Sequence, residues 1–156
     1  MDEQGVGPKV CLVGTAPPRR CGIATFTDDL RTALSDVTPA APAVQVALTD
    51  AGGSYDYGPD VVFEIHAPQL SDYRTAATFL DQSDVDVVCV QHEFGIFGGP
   101  VGRHVDELLE HVTAPVVTTR RLRVPPPALA AGSPSRTTPG HVAPPPAGAA
   151  GAEAQR

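Results

Sequence analysis

The sequence predicts an α/β fold on a mostly parallel five-stranded sheet. Short apolar runs rich in Val recur along the first 119 residues, amphipathic stretches with helical spacing lie between several of them, and Gly- and Pro-bearing turns separate the two kinds of segment. Lys9-Val10-Cys11-Leu12-Val13-Gly14 reads as a buried first strand. Past the loop Thr15–Gly22, the spacing of Ile23, Phe26, Leu30 and Leu34 predicts a helix, with Thr25 and Asp28 placed to cap its first turn. Val44–Leu48 is a second strand, and a Gly-, Asp- and Tyr-rich loop over 49–60 leads to a third, Val61–Ile65. That link contains no helical pattern, so the direction of this strand pair stays open. Ser71 is placed to cap a second helix with Tyr73, Ala76, Ala77 and Leu80 inward. Val85–Val90 is a fourth strand, Gln91–Gly99 a loop, and Pro100 opens a third helix with Val101, Val105, Leu108, Leu109 and Val112 on one face. Ala114–Thr119 is the fifth strand.

Composition divides the 156-residue chain after this pattern. Residues 1–119 hold six Lys and Arg against seventeen Asp and Glu, while residues 120–156 hold five Arg and one Glu. The tail carries eight of the 17 Pro, nine Ala, four Gly, and no Phe, Tyr or Ile. Too little apolar surface is present there to offset ordering entropy, which predicts a disordered segment. The net charge of −7 disfavours a nucleic-acid partner. Three widely spaced Cys (Cys11, Cys21, Cys89) and an acidic N-terminus suit a reducing cytoplasm, with no disulfide framework and no signal peptide. No apolar run is long enough to span a membrane.

Parallel sheets bind ligands beyond the carboxyl ends of their strands, and two loops fall there. In Gly14–Ala24, Gly22 enters the helix, so backbone N–H groups and the helix dipole can meet an anion, with Arg19 and Arg20 as countercharge. The loop has neither Walker nor G-x-G-x-x-G spacing, and an ordinary turn with two solvated arginines is the simpler alternative. In Gln91–Pro100, His92 and Glu93 suit acid–base work or hydrogen bonding to a polyol. Phe94, Ile96 and Phe97 either line a pocket or fold into the core among Gly95, Gly98 and Gly99. A metal set of His66, His92 and Glu93 matches no recognised ligand spacing. Cys11 and Cys89 read as small core residues, Cys21 as a thiol near a helix start, Asp28-Asp29 as a solvated face, and His104 and His111 as polar-side residues.

The segment Pro17-Pro18-Arg19-Arg20-Cys21-Gly22-Ile23-Ala24-Thr25-Phe26-Thr27-Asp28-Asp29-Leu30 resembles the N-terminal signature of a mannosyltransferase-like bacterial branch of the family-4 glycosyltransferases. Gln91-His92-Glu93-Phe94-Gly95-Ile96-Phe97-Gly98-Gly99 resembles that group's second signature. The resemblance covers residues 8–119. It implies the N-terminal, acceptor-side Rossmann-like domain of a GT-B fold, and metal- and cofactor-independent transfer of a hexose from a nucleotide sugar to a glycan or lipid acceptor with retention. It further implies that Gly22, with Arg19, Arg20 and Ile23, faces the donor phosphates. The same resemblance sets His92 and Glu93 at the cleft, beside Phe94, Gly95, Gly98 and Gly99.

The sequence departs from the family after Thr119. The family continues Leu-His-Thr, its His pointing into the active site, where this chain has Arg120-Arg121-Leu122. The donor-gripping domain is also missing from the sequence. The expectation is a truncated, cytoplasmic fragment, inactive alone and prone to aggregate at its unpaired edge, with residues 120–156 the product of a shifted reading frame. The alternatives are a stand-alone module binding a nucleotide or sugar phosphate, and a metal-dependent hydrolase built on His66, His92 and Glu93.

Overall fold

The computed structural model describes residues 7–120, so the sequence reading of a disordered tail lies, apart from Arg120, outside the described residues. Five strands, β1 (Val10–Gly14), β2 (Val44–Thr49), β3 (Val61–His66), β4 (Val87–His92) and β5 (Val116–Arg120), form one sheet in the order β3-β2-β1-β4-β5. All four pairings are parallel. The open question of the β2–β3 pair is therefore settled as parallel, although the return segment 50–60 contains no helix. Side chains of that segment hold it together: the Tyr55 hydroxyl donates to Asp50, Tyr57 pairs with Thr49, and the two rings pack at 5.7 Å.

Helices α1 (Gly22–Val37), α2 (Leu70–Gln82) and α3 (His104–His111) cover the two faces unequally. The step from β1 to β2 moves one way along the sheet, and those from β3 to β4 and β4 to β5 move the other way. Right-handed crossovers then place α1 on one face and α2 and α3 on the opposite one. Cys11, Val13, Val46, Leu48, Ile65, Val88 and Val90 form a dry cluster with Tyr73, Ala76, Ala77 and Leu80 of α2 and Val105 and Leu108 of α3. The expected inward face of α2 is present in full.

Several boundaries and contacts differ from the sequence reading. α1 buries Ile23, Ala24 and Thr27, while Phe26 is 40% exposed. Small residues govern this face because α1 lies close over Gly14, where a Cβ would sit 3.4 Å from Thr27 Oγ1 and 3.0 Å from Gln91 Cβ. Thr25 does not cap α1; the helix starts at Gly22 with Cys21 as its uncapped N-cap residue. Ser71 likewise lies inside α2, whose N-cap is Gln69, and Asp72 accepts the His66 backbone N–H at 3.0 Å. β4 runs on through Gln91 and His92, which makes them strand rather than loop residues. The predicted third helix is divided: Pro100–Gly102 is a 3₁₀ turn, and Val101 takes φ 53 and is 85% exposed instead of joining the apolar face. Gly99 and Gly102 flank it with positive φ, so helical periodicity does not extend back through this segment. Among the described residues β5 is an edge strand, with Val116 and Val117 exposed.

Candidate functional site

Because β1 lies between β2 and β4, the chain leaves it in one direction and returns on its other side, which makes the β1–β4 boundary the topological switch point. The two loops singled out from the sequence follow β1 and β4 and flank this point at the carboxyl edge.

The first loop is tightly organised. The Thr15 carbonyl accepts from Gln45 Nε2 at 3.0 Å, Thr15 Oγ1 lies 3.3 Å from Cys21 Sγ, and backbone bonds Arg19 N–Ala16 O and Cys21 N–Arg19 O close the turn. No side chain caps the first turn of α1, and no acidic residue lies in it. Its first-turn N–H groups therefore have no side-chain acceptor, although Ile23 and Ala24 are themselves buried and Gly22 is exposed. Asp28 pairs with Arg31 within the helix while its side chain stays 41% exposed, and Asp29 is exposed, in line with a solvated face. Arg19 turns toward β2, reaching the Leu48 carbonyl at 3.5 Å and Asp50 at 3.8 Å. Arg20 is exposed. The Ile23 side chain is core, so this residue offers a ligand only its backbone.

Charge distribution singles out the same edge. Of the basic residues described, Lys9, Arg19, Arg31 and Arg74 are ion-paired with Asp84, Asp50, Asp28 and Asp60, and Glu107 respectively. Arg20, Arg103 and Arg120 have no carboxylate partner among the described residues: Arg20 lies in the loop after β1, Arg103 directly precedes α3 in the β4–β5 connection, and Arg120 ends β5.

The second loop begins with the half-buried pair His92 and Glu93. His92 packs between Phe94, edge-on at 5.7 Å, and Phe97 at 5.6 Å. Its Nδ1 is buried without a hydrogen-bond partner, which leaves Nε2 as the ring nitrogen a ligand can reach. Glu93 has no ion-pair partner among the described residues. Phe97 and Ile96 are buried, whereas Phe94 is 70% exposed, so the loop divides between the two alternatives left open by the sequence.

What fixes this loop lies in residues to which the sequence reading gives other roles. The Tyr73 hydroxyl donates to the Ala67 carbonyl at 3.1 Å and accepts the Gly98 N–H at 3.0 Å. His104, expected on a polar face, is half-buried: its N–H donates to the Gly98 carbonyl, its Nδ1 meets the Ala67 carbonyl at 3.2 Å, and its ring stands edge-on to Tyr73. Gly98 is required because a Cβ there would lie 1.7 Å from the Ala67 carbonyl oxygen. Gly99 and Gly95 adopt φ +79 and +90. Burial raises the Tyr73 phenol above its ordinary value, so it stays protonated as a donor.

A separate cleft of about 370 Å³ opens beyond β2 and β3, lined by Asp50, His66, Gln69 and Asp72. Asp72 Oδ2 lies 2.9 Å from His66 Nδ1, and a hydrogen bond from Tyr55 holds Asp50 below the usual carboxylate range. His66 ends β3 and His92 ends β4, with β2 and β1 between them. That spacing is about 14 Å. The metal set of His66, His92 and Glu93 is not assembled. Among the described residues the one cluster with metal-ligand spacing is Glu107, Glu110 and His111 on α3, where Glu107 is engaged by Arg74. Cys11 is fully buried and its thiol is pushed up to about 12 by that burial, as a core residue should be. Cys89 is half-buried.

This architecture defines a doubly wound, Rossmann-like α/β domain with its candidate site at the switch point. No protein-family model matches the chain, and no curated protein matches it. Among solved structures it is similar to an alpha-glucosyltransferase in complex with UDP and a 13-mer DNA containing a central A:G mismatch, at 12% identity and a TM-score of 0.47. The likeness covers 72% of this chain and 30% of that one. No described helix is long and apolar enough to cross a membrane.

Proposed function

We propose that residues 8–119 form the acceptor-side half of a retaining hexosyltransferase of the GT-B type, inactive without a second, donor-gripping half. The observation that carries this reading is the convergence of both signature loops on the β1–β4 switch point. In this reading the uncapped start of α1, with Arg20 in the loop before it, takes the leaving diphosphate, and His92 and Glu93, at the end of β4, serve the acceptor. Departure of a nucleoside diphosphate develops negative charge on the β-phosphate oxygens, and preorganised N–H groups and cations stabilise it. On the same reading Glu93 and His92 hydrogen-bond and orient the acceptor hydroxyl. Turnover in this reading requires a second half that closes this edge from water. Mannose from a GDP donor, and an acceptor of cell-envelope or exopolysaccharide type, follow from the sequence resemblance.

Amide NMR of the full chain, titrated with GDP-mannose and UDP-glucose, tests the reading. Shifts at Gly22–Ala24 at millimolar donor, without hexose transfer to a simple glycoside, are expected. Silence at those amides would refute it, and transfer by the purified chain would refute the claim of inactivity. Micromolar binding of a sugar phosphate without any nucleotide would instead identify a stand-alone binding module.

A further inference from the structure

The loop after β4 buries two of its three large apolar residues and leaves the third in water. Ile96 and Phe97 enter the core, while Phe94 stays at the carboxyl edge of the sheet. Exposing an aromatic ring forfeits hydrophobic free energy, yet this ring is held in place. His92 meets it edge-on, and Arg120, in register with His92 on the neighbouring strand, sets its guanidinium 5.4 Å from the ring centroid. A cation near an aromatic face is attracted by the ring quadrupole. The polar residues nearest in the chain are His92, whose ring meets Phe94, and the half-buried Glu93 directly before it.

An oriented apolar plate beside unpartnered polar groups matches one ligand chemistry well. A pyranose presents a face of C–H bonds and a rim of hydroxyls, so it stacks on an aromatic ring while its rim hydrogen-bonds alongside. The geometry points to Phe94 as the platform on which the C–H face of an acceptor pyranose stacks, with Glu93 and His92 taking its hydroxyls. This deepens the proposed function and rests on it for the word acceptor; the sugar contact itself is read independently of any nucleotide.

Saturation-transfer NMR of the full chain with methyl α-D-mannopyranoside and methyl α-D-glucopyranoside tests it. Wild type should transfer to protons on one face of the pyranose, and those protons should shift upfield from the ring current of Phe94. F94L, which keeps an apolar surface but no π face, should lower affinity about fivefold and abolish the upfield shift. F94W should retain both. Unfolding monitored by circular dichroism should be unchanged in either variant, because the side chain is exposed. Equal transfer in wild type and F94L, or none in wild type, would overturn the proposal. Loss of the nucleotide response at Gly22–Ala24 with the sugar contact intact would sink the transferase reading alone, leaving a sugar-binding surface. The converse would sink the platform alone.

Discussion

The sheet face under α2 and α3 is apolar and closed, whereas the face under α1 carries polar side chains sealed from water. Strand register sets Gln45, Thr49 and Gln91 on the same side as Leu12, beneath α1, with Thr27 on the helix above and Thr15 at its entrance. These five are all the buried polar residues among those described. Most find partners: Gln45 reaches the Thr15 carbonyl, Thr27 the Ile23 carbonyl, and Thr49 both Tyr57 and Glu64. Gln91 Oε1 finds none. The dry face supplies cohesion and, through Tyr73 and His104, pins the loop after β4. The polar face shapes the loop after β1 and the entry to α1. Cohesion thus comes mainly from one side of the sheet, whereas the candidate site draws one loop from each.

Three measurements would break or sharpen that contrast. The largest effect is expected at Leu108, fully buried in the dry cluster, where L108A should cost about 2–5 kcal/mol in denaturant unfolding. A loss below ~1 kcal/mol would mean that α3 is not part of the cohesive layer. A pH effect comes next. Cys11 has its thiol raised from 9.0 to about 12 in the fold, so between those values the unfolded chain releases the proton first. Its contribution is therefore complete below pH 9 and falls as pH rises toward 12, by up to ~1.4 kcal/mol per pH unit. C11A should remove that part of the slope, and native Cys11 should resist thiol reagents at pH 8 until the chain unfolds. The smallest effect is expected under α1. Gln91 leaves an acceptor unpaired and donates only to Cys89 Sγ, so Q91L should be neutral or stabilising by ~1 kcal/mol. A marked loss in that variant would show Gln91 Oε1 to be satisfied, and the two faces to be more alike than the contacts indicate.

Most elements were legible in the sequence, and their errors share a cause. The apolar run ends at Val90, yet β4 continues through Gln91 and His92, because a neighbouring sulfur and two phenylalanine rings make those polar positions tolerable in a strand. The spacing of Val101 fits a helical face, but positive-φ glycines on either side hold the chain in a tight turn there. Both phenylalanines of the second loop looked alike, and the fold separates them: Phe97 lies in the core, while Phe94 is held at the surface by His92 and Arg120. His104 looked solvated because one helix's periodicity says nothing of the Ala67 carbonyl, far away in the chain, that its ring meets.

Of the candidate site, the sequence identified the two loops but not the residues that fix them. Gly22, His92 and Glu93 stand at strand ends that apolar patterning places on its own. Tyr73 and Gly98 matter through a hydroxyl and a missing Cβ that meet across two loops, and no local pattern marks such a meeting.

The sequence by itself determined the kind and order of the elements, since alternation and helical spacing are local and each run carries its own signal. Tertiary structure decided the strand order, the parallel setting of β2 and β3, and the roughly 14 Å between His66 and His92 that rules out their shared metal. It also decided which phenylalanine faces water. These outcomes depend on the handedness of crossovers and on contacts between residues distant in the chain, where burial on one face is settled only once the other is covered.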